Sequence, residues 1–133
     1  MLIFVYGTLM TGFGNNYLIT EGELVDNIAR TYDSAFDLLD FGGFPALIKK
    51  AEDGFFVEGE LWDVPSSLVK ERLDMLEGHP NFYRRQLIKI YSYLEGAGEY
   101  TGEVLAYIID NPTSYNLPVV QYYKNGVKRW EHG

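Results

Sequence analysis

Apolar positions recur along this chain mostly with the spacing of β-strands. Five runs are rich in β-branched, aromatic and aliphatic residues and are bounded by Gly, Asp or Asn. They cover residues 2–6, 28–36, 56–64, 86–93 and 104–109. In the last run both alternate sets of side chains are apolar, which is typical of a strand covered on both faces. The pattern predicts an antiparallel or mixed sheet in which this last run is central.

One stretch, residues 66–77, has helical spacing instead. Its apolar residues share one face, and its charged residues are expected to point to water. The apolar set is Val69, Leu73 and Leu76, and the charged set is Lys70, Glu71 and Asp74. Pro65 and the two serines after it are start signals, and Gly78 followed by Pro80 is a stop signal. Glu77 is therefore predicted to be the last helical residue.

The chain has 133 residues, of which 47% are hydrophobic, and this size and composition predict a single domain over residues 1–133. With the strand-like runs and the helix described above, its expected fold class is α+β. Residues 115–133 are predicted to form a C-terminal extension packed on the body. The reason is that Tyr122, Tyr123 and Trp130 are large aromatics, which seldom occupy a free tail.

Charge and residue usage exclude several classes of function. The 11 basic and 19 acidic residues give a net charge of −8, which argues against nucleic-acid and membrane partners. Cysteine is absent, so the chain has neither a disulfide framework nor a thiol nucleophile. His79 and His132 have no carboxylate at ligand-like spacing, and no metal or cofactor is expected. No stretch approaches membrane-spanning length, so a cytoplasmic protein is expected.

Glu77 is the first candidate for chemistry. A carboxylate at the C-terminus of a helix faces the negative end of the helix dipole, which makes its ionised form less favourable. Partial burial against Phe82 and Tyr83 would raise its pKa further, toward the range of a useful proton acceptor. Taken alone, however, the local pattern favours a solvated glutamate that simply ends a helix.

The second candidate is the segment Tyr6-Gly7-Thr8-Leu9, which ends an apolar strand and enters a loop. A glycine at this point lets successive backbone N–H groups face one way and hold an anion such as a carboxylate. An ordinary turn after a strand fits the same pattern. Arg84 and Arg85 form a weaker candidate, since they would either grip a substrate carboxylate or lie solvated at the start of a strand.

Together these segments resemble the γ-glutamylcyclotransferase family, in particular its AIG2-like and γ-glutamylamine cyclotransferase-like members. The resemblance covers most of the chain, and it lies in FVYGTL at residues 4–9, FPAL at 44–47, VEGELW at 57–62, LDMLEGHP at 73–80 and YRR at 83–85. It implies a small mixed β-barrel flanked by a few helices. The substrate pocket would lie between the first loop and the end of the helix.

The resemblance also implies a reaction and roles for particular residues. The α-amine of a γ-glutamyl compound would attack its own γ-carbonyl, releasing 5-oxoproline and a free amine or amino acid. Glu77 would be the general acid and base, and the backbone N–H groups of Gly7, Thr8 and Leu9 would bind the substrate's α-carboxylate. The substrate pocket would also be lined by three tyrosines, Tyr6, Tyr83 and Tyr107.

Two other classes of function remain open from the sequence. The chain would be a binding module if the same pocket held a small amino-carboxylate ligand without turning it over. It would be a scaffold or inhibitor if it acted through its acidic, Tyr-rich surface. The partner expected from the resemblance is a small γ-glutamyl substrate, and the oligomeric state is open.

Overall fold

The computed structural model describes residues 1–94, 96–112, 115–121 and 123–131. Tyr122 and His132, on which two of the sequence expectations rest, lie outside these residues. The described chain forms eight strands, which are β1 (Leu2–Val5), β2 (Glu23–Thr31), β3 (Phe36–Asp40), β4 (Pro45–Lys49), β5 (Phe56–Asp63), β6 (Arg84–Leu94), β7 (Gly98–Ile108) and β8 (Val127–Lys128). It also forms a 3₁₀ turn at Asn16–Ile19 and one helical segment, α1, at residues 66–77.

Five of the strands close into a barrel of mixed direction. Around the ring the order is β1, β5, β2, β6 and β7, and the neighbours are antiparallel except at the closure. The ring closes where β1 runs parallel to β7, with Ile3 opposite Leu105. Closure leaves the ring without an open edge. The predicted fold, an α+β protein built on a small mixed β-barrel, is confirmed, with α1 and the 3₁₀ turn as its helical parts.

A hairpin of β3 and β4 is attached to the outside of this ring. Its strands are antiparallel, and β4 joins the sheet by running parallel to β7, with Leu47 opposite Ile108. Strand β7 therefore lies between β6 on one side and both β1 and β4 on the other. Its residues Val104, Ala106, Tyr107 and Ile108 are all buried. This confirms the prediction of a central strand covered on both faces.

The strand predicted at residues 28–36 is wrong at both ends. The chain bends at residues 32–35, and it separates β2 from β3. Strand β2 begins earlier than its apolar pattern suggests because it contains Asp26, which is buried and accepts hydrogen bonds from the Ser92 hydroxyl and the Tyr93 N–H. Strand β4 was not predicted, because glycines and a proline at its start have the composition of a loop.

Helix α1 has the predicted bounds, and Val69 and Leu73 are buried as predicted, but the residues of its last turn do not keep the predicted faces. It consists of an α turn, Ser66–Leu68, a wider π turn, Val69–Leu73, and a second α turn, Asp74–Glu77. The π turn holds more residues than an α turn, so the residues after it are rotated away from α-helical spacing. Leu76 is consequently 43% exposed instead of buried. No helical segment among the described residues has the length and apolar character needed to span a bilayer.

The C-terminal segment runs along the β3–β4 hairpin and then along β5. The Asp40 N–H donates to the Pro118 carbonyl at 2.8 Å, and the Val120 N–H donates to the Leu38 carbonyl at 2.8 Å. Further on, β8 runs parallel to β5. Trp130, beyond β8, is 1% exposed. The segment therefore contacts both the ring and the hairpin attached to it.

Candidate active site

The loop after β1 and the end of α1 meet across a cavity of about 290 Å³. All of the site residues predicted from the sequence line it, namely Tyr6, Gly7, Thr8, Leu9, Glu77, Tyr83 and Tyr107. Its other walls are mostly apolar and consist of Phe4, Val5, Asn15, Gly43, Phe44, Pro45, Leu76 and Phe82. Among these described residues there is no Lys, Arg or His, so the cavity contains a single ionisable carboxylate and no cationic side chain.

The backbone of the first loop presents free donors. The N–H groups of Gly7, Thr8 and Leu9 donate to no acceptor within the described part of the chain. The loop is nevertheless fixed by its other groups, because the side chain of Asn15 donates to Thr8 Oγ1 at 2.9 Å and its N–H donates to the Thr8 carbonyl. The side chain of Asn16 likewise donates to the Leu9 carbonyl. Three consecutive N–H groups of this kind suit an anion.

Gly7 is required by the close approach of its backbone to the Pro45 ring. A β-carbon added there would lie 2.8 Å from Cδ of Pro45, well inside van der Waals contact with a rigid ring. Pro45 opens β4, and its carbonyl accepts the Tyr83 hydroxyl at 2.6 Å. The glycine thus lets the first loop, the β3–β4 hairpin and Tyr83 meet at the cavity.

Glu77 ends α1, as predicted, and its position is held by a Schellman motif. Gly78 has a left-handed backbone with φ of 66°, a conformation that favours glycine. The Gly78 N–H donates to the Met75 carbonyl, and the His79 N–H donates to the Asp74 carbonyl. The chain then turns back so that the Tyr83 N–H donates to the Glu77 carbonyl at 3.1 Å. Glu77, Phe82 and Tyr83 are brought to the same wall in this way.

Burial makes the Glu77 carboxylate easier to protonate. It raises the pKa of Glu77 from 4.5 to about 7, and no hydrogen bond or cation among the described residues offsets the effect. The sequence predicted a raised pKa from the helix dipole together with burial, and burial is the cause that the structure supports. A carboxyl group with a pKa near 7 exchanges protons readily at neutral pH.

The three tyrosines of the cavity are anchored through their hydroxyls. Tyr6 Oη donates to the Tyr107 carbonyl at 2.6 Å and accepts the Leu47 N–H at 3.0 Å. Tyr83 Oη donates to the Pro45 carbonyl. Burial raises the pKa of Tyr6 well above its usual range, and the neighbouring Tyr83 and Glu77 raise it further. These hydroxyls therefore remain protonated at neutral pH.

Asp74 was wrongly predicted to point to water. Its side chain is only 18% exposed, because the π turn of α1 rotates it toward the barrel. Asp74 Oδ1 accepts the Tyr107 hydroxyl at 2.6 Å, and Oδ2 lies 3.1 Å from Nη1 of Arg85. Helical spacing could not have found it, because the π turn at Val69–Leu73 changes the spacing of the residues that follow.

The remaining sequence candidates do not reach the cavity. Arg85 is paired with Asp74, and Arg84 is half exposed and pairs with Asp110 at 3.1 Å. His79 Nδ1 accepts the Arg85 N–H at 3.1 Å, so it is engaged within the protein. Within the described ranges no group of three or more His, Cys, Asp or Glu residues is placed to hold a metal ion.

Comparison with known proteins identifies a family. The family model described as "Gamma-glutamyl cyclotransferase, AIG2-like" matches residues 3–130. Two curated relatives carry the name "Putative gamma-glutamylcyclotransferase". The relative from Vibrio cholerae is 33% identical over 101 residues, which are 71% of this chain and 83% of that protein. The relative from Methanocaldococcus jannaschii is 30% identical over 88 residues, which are 66% of this chain and 70% of that protein.

Solved structures agree with this assignment at the level of the fold. An AIG2-like protein from Mus musculus superposes with a TM-score of 0.71 at 24% identity, covering 98% of this chain and 95% of its own. A protein specific to uropathogenic E. coli has a TM-score of 0.67 at 25% identity, covering 90% of this chain and 86% of its own. By the family match over nearly its whole length, this chain belongs to the AIG2-like γ-glutamyl cyclotransferase family.

Proposed function

We propose that this protein is a γ-glutamyl(amine) cyclotransferase, which converts a γ-glutamyl compound into 5-oxoproline and a free amine or amino acid. The observation that carries the proposal is the Glu77 carboxyl group, which has a pKa of about 7 and lines the same cavity as three free backbone N–H groups. A proton acceptor and an anion-binding loop on one small cavity suit an α-amino acid that reacts with itself.

In the proposed reaction both reacting groups belong to the substrate. Glu77 takes a proton from the α-ammonium, and the freed nitrogen lone pair attacks the γ-carbonyl carbon. The new C–N bond closes the five-membered ring, the bond to the γ-nitrogen breaks, and Glu77 returns its proton to the departing nitrogen. The ring nitrogen loses its second proton, which the released amine takes up, so that neutral lactam and protonated amine are the products. The protein supplies no nucleophile, so its work is to hold the folded substrate and move protons.

The first loop would bind the substrate's α-carboxylate. The N–H groups of Gly7, Thr8 and Leu9 are consecutive, line the cavity and lack protein acceptors in the described structure. One of them would also face the oxygen of the γ-carbonyl as negative charge develops there, an interaction typically worth several kcal/mol. Because these donors belong to the backbone, the shape of the loop matters more than its side chains.

The cavity favours γ-glutamyl amines over substrates with an anionic leaving group. Its lining residues include aromatic rings but no Lys, Arg or His, so a second carboxylate on the leaving group would have no partner among them. Phe44 and Phe82 would instead contact an apolar or cationic amine. We therefore include isopeptide-linked lysine among the candidate substrates.

The test is 5-oxoproline release from a panel of γ-glutamyl amines, γ-glutamyl amino acids and glutathione, with the parent, Glu77→Gln and Glu71→Gln. Glu71 lies on the same helix and is exposed, so its substitution is a matched control. We expect release by the parent and by Glu71→Gln, and a loss of at least a thousandfold in Glu77→Gln. A folded parent that binds members of the panel without releasing 5-oxoproline would be a binding module and not an enzyme.

A further inference from the structure

Two tyrosines that line the cavity have hydroxyl protons that are already donated inside the protein. Tyr83 Oη donates its proton to the Pro45 carbonyl, and Tyr107 Oη donates its proton to the Asp74 carboxylate, each at 2.6 Å. The direction of each bond follows from chemistry, because carbonyl and carboxylate oxygens only accept. Neither hydroxyl oxygen receives a hydrogen bond from the described residues, so each keeps unused lone pairs.

Tyr6 differs from these two residues, although it lines the same cavity. Its hydroxyl both donates to the Tyr107 carbonyl and accepts the Leu47 N–H, so its hydrogen-bonding capacity is largely used inside the protein. Among the side chains on this wall of the cavity, the acceptors available to a ligand therefore include Tyr83 Oη, Tyr107 Oη and the carboxylate of Glu77. Burial raises the pKa of both Tyr83 and Tyr107, and the Glu77 carboxylate close by raises it further.

Asp74 determines which way the Tyr107 hydroxyl points. Tyr107 and Arg85 face each other across the β6–β7 ladder, and Asp74 of α1 is bonded to both side chains. Arg85 fixes one carboxylate oxygen and leaves the other for the Tyr107 proton. Without this carboxylate, the hydroxyl would be free to turn its proton into the cavity and act as a donor.

We propose that Tyr83 Oη, Tyr107 Oη and Glu77 form a site for the substrate's α-ammonium group, and that Asp74 is a positioning residue that keeps Tyr107 an acceptor. An ammonium group has three protons to donate, and these residues supply three acceptors around one small cavity. The free N–H groups of Gly7, Thr8 and Leu9 supply the complementary donors for the α-carboxylate. The inference rests on the proposed function, since it takes the ligand to be an α-amino acid.

The test uses two unreactive ligands that differ only in the α-ammonium group, L-norvaline and pentanoate. Dissociation constants are measured by NMR titration at pH 7.5 for the whole chain. The variants are Tyr107→Phe, Tyr83→Phe and Asp74→Asn, and the control is Asp110→Asn, which removes an exposed Asp–Arg pair from the neighbouring Arg84. Thermal unfolding of every variant is recorded alongside.

We expect the parent and Asp110→Asn to bind L-norvaline at least tenfold more tightly than pentanoate. This preference should fall about tenfold in Tyr107→Phe and in Asp74→Asn, and by a similar factor in Tyr83→Phe. If Asp74 had a purely structural role, Asp74→Asn would weaken the binding of both ligands by the same factor and leave the preference for L-norvaline unchanged. That result, or a parent without the preference, would overturn the ammonium site.

The same preparations are assayed for 5-oxoproline release, which separates this inference from the proposed function. A parent that releases 5-oxoproline but does not prefer L-norvaline would overturn the ammonium site and leave the enzyme standing. A parent that prefers L-norvaline through Tyr107 and Asp74 but releases no product would support the site and overturn the enzyme.

Discussion

The proton-transfer role proposed for Glu77 conflicts with the stability of the folded protein. A carboxylate buried among aromatic side chains without a cation is costly in its charged form, which is why its pKa rises to about 7. The same burial makes the group a competent base near neutral pH. The cost of this environment should therefore be measurable as a dependence of folding stability on pH.

Replacing Glu77 with Gln should remove a loss of stability that the parent suffers as pH rises. The folded parent holds the Glu77 proton up to about pH 7, whereas the unfolded chain releases it near 4.5, so Glu77's contribution is present below 4.5 and is lost as pH rises through 7. Between pH 5 and pH 8 the parent should lose about 2 to 3 kcal/mol more than Glu77→Gln. Urea unfolding at the two pH values measures this. Glu71→Gln keeps Glu77, so it should lose stability in parallel with the parent. If Glu77→Gln also loses as much stability as the parent, the Glu77 carboxylate of the folded protein is solvated.

Gly7 provides a second test at the residue scale. Gly7→Ala would place a methyl group against the Pro45 ring, and we expect it to cost about 1 to 3 kcal/mol and to weaken substrate binding. Gly43→Ala is the matched control, because Gly43 lines the same cavity yet a β-carbon there meets nothing within 4 Å. Thermal unfolding should separate the two variants, and equal effects would contradict a role for the close approach.

At the scale of elements, α1 positions the site through its irregular turn and its end. The π turn rotates Asp74 and Glu77 toward the barrel and leaves Met75 81% exposed. The left-handed Gly78 then reverses the chain and brings Phe82 and Tyr83 to the cavity. A regular α-helix of the same length would present Leu76 to the core, as its sequence pattern suggests.

Gly78→Ala should lower activity as well as stability, whereas a comparable glycine far from the site should lower stability alone. An alanine at φ of 66° is unfavourable, and its β-carbon would lie 3.1 Å from Cβ of Phe82. Gly96→Ala is the control, because Gly96 has φ of 83° and no neighbour within 4 Å. Both should lose about 1 to 2 kcal/mol in urea unfolding, but only Gly78→Ala should lower the rate of 5-oxoproline release. A loss of activity in both would point to a global effect.

The sequence predicts correctly those elements whose pattern of apolar and polar residues matches their burial in the fold. Strands β1, β5 and β7 contain apolar runs that the sequence analysis identified, and Glu77 lies at a helix end marked by Gly78. Strand β2 was misplaced because buried Asp26 is satisfied by Ser92, 66 positions away, and no local pattern records that partner. Asp74 was misplaced for a similar reason, because the π turn arises from packing and not from a sequence period.

At the scale of the whole molecule, the C-terminal segment holds the β3–β4 hairpin in place. Lys128 of β8 and Asp37 of β3 form a buried ion pair at 2.6 Å, with side chains 2% and 0% exposed. The Lys128 ammonium also lies 4.1 Å from the centre of the Phe55 ring. The turn of this hairpin contributes Gly43, Phe44 and Pro45 to the cavity. The wall of the site thus depends on the far end of the chain.

Removing one partner of the buried Lys128–Asp37 ion pair should lower the free energy of unfolding strongly. Replacing both partners should lower it less. In Lys128→Met the buried Asp37 carboxylate keeps a single cationic neighbour among the described residues, Lys50 at 3.6 Å. The variant should lose about 3 to 5 kcal/mol in the free energy of unfolding. Lys128→Met combined with Asp37→Leu should recover much of this loss, because no unpaired charge remains. Urea unfolding measures both, with exposed Lys124→Met as the control. A double variant no more stable than the single one would indicate that the pair is needed for packing as well as charge.

The closure of the ring by β1 has a consequence for how the proposed site forms during folding. The hydrogen bond from Tyr6 to Tyr107 joins positions 101 residues apart, and the loop with the free N–H groups directly follows the strand that makes this closure. Contacts between such distant positions form late, since a long loop must first be ordered. A partly folded or newly synthesised chain would therefore lack the site until its barrel closes. Under the proposed function, release of 5-oxoproline would then be a stricter measure of completed folding than secondary-structure content is.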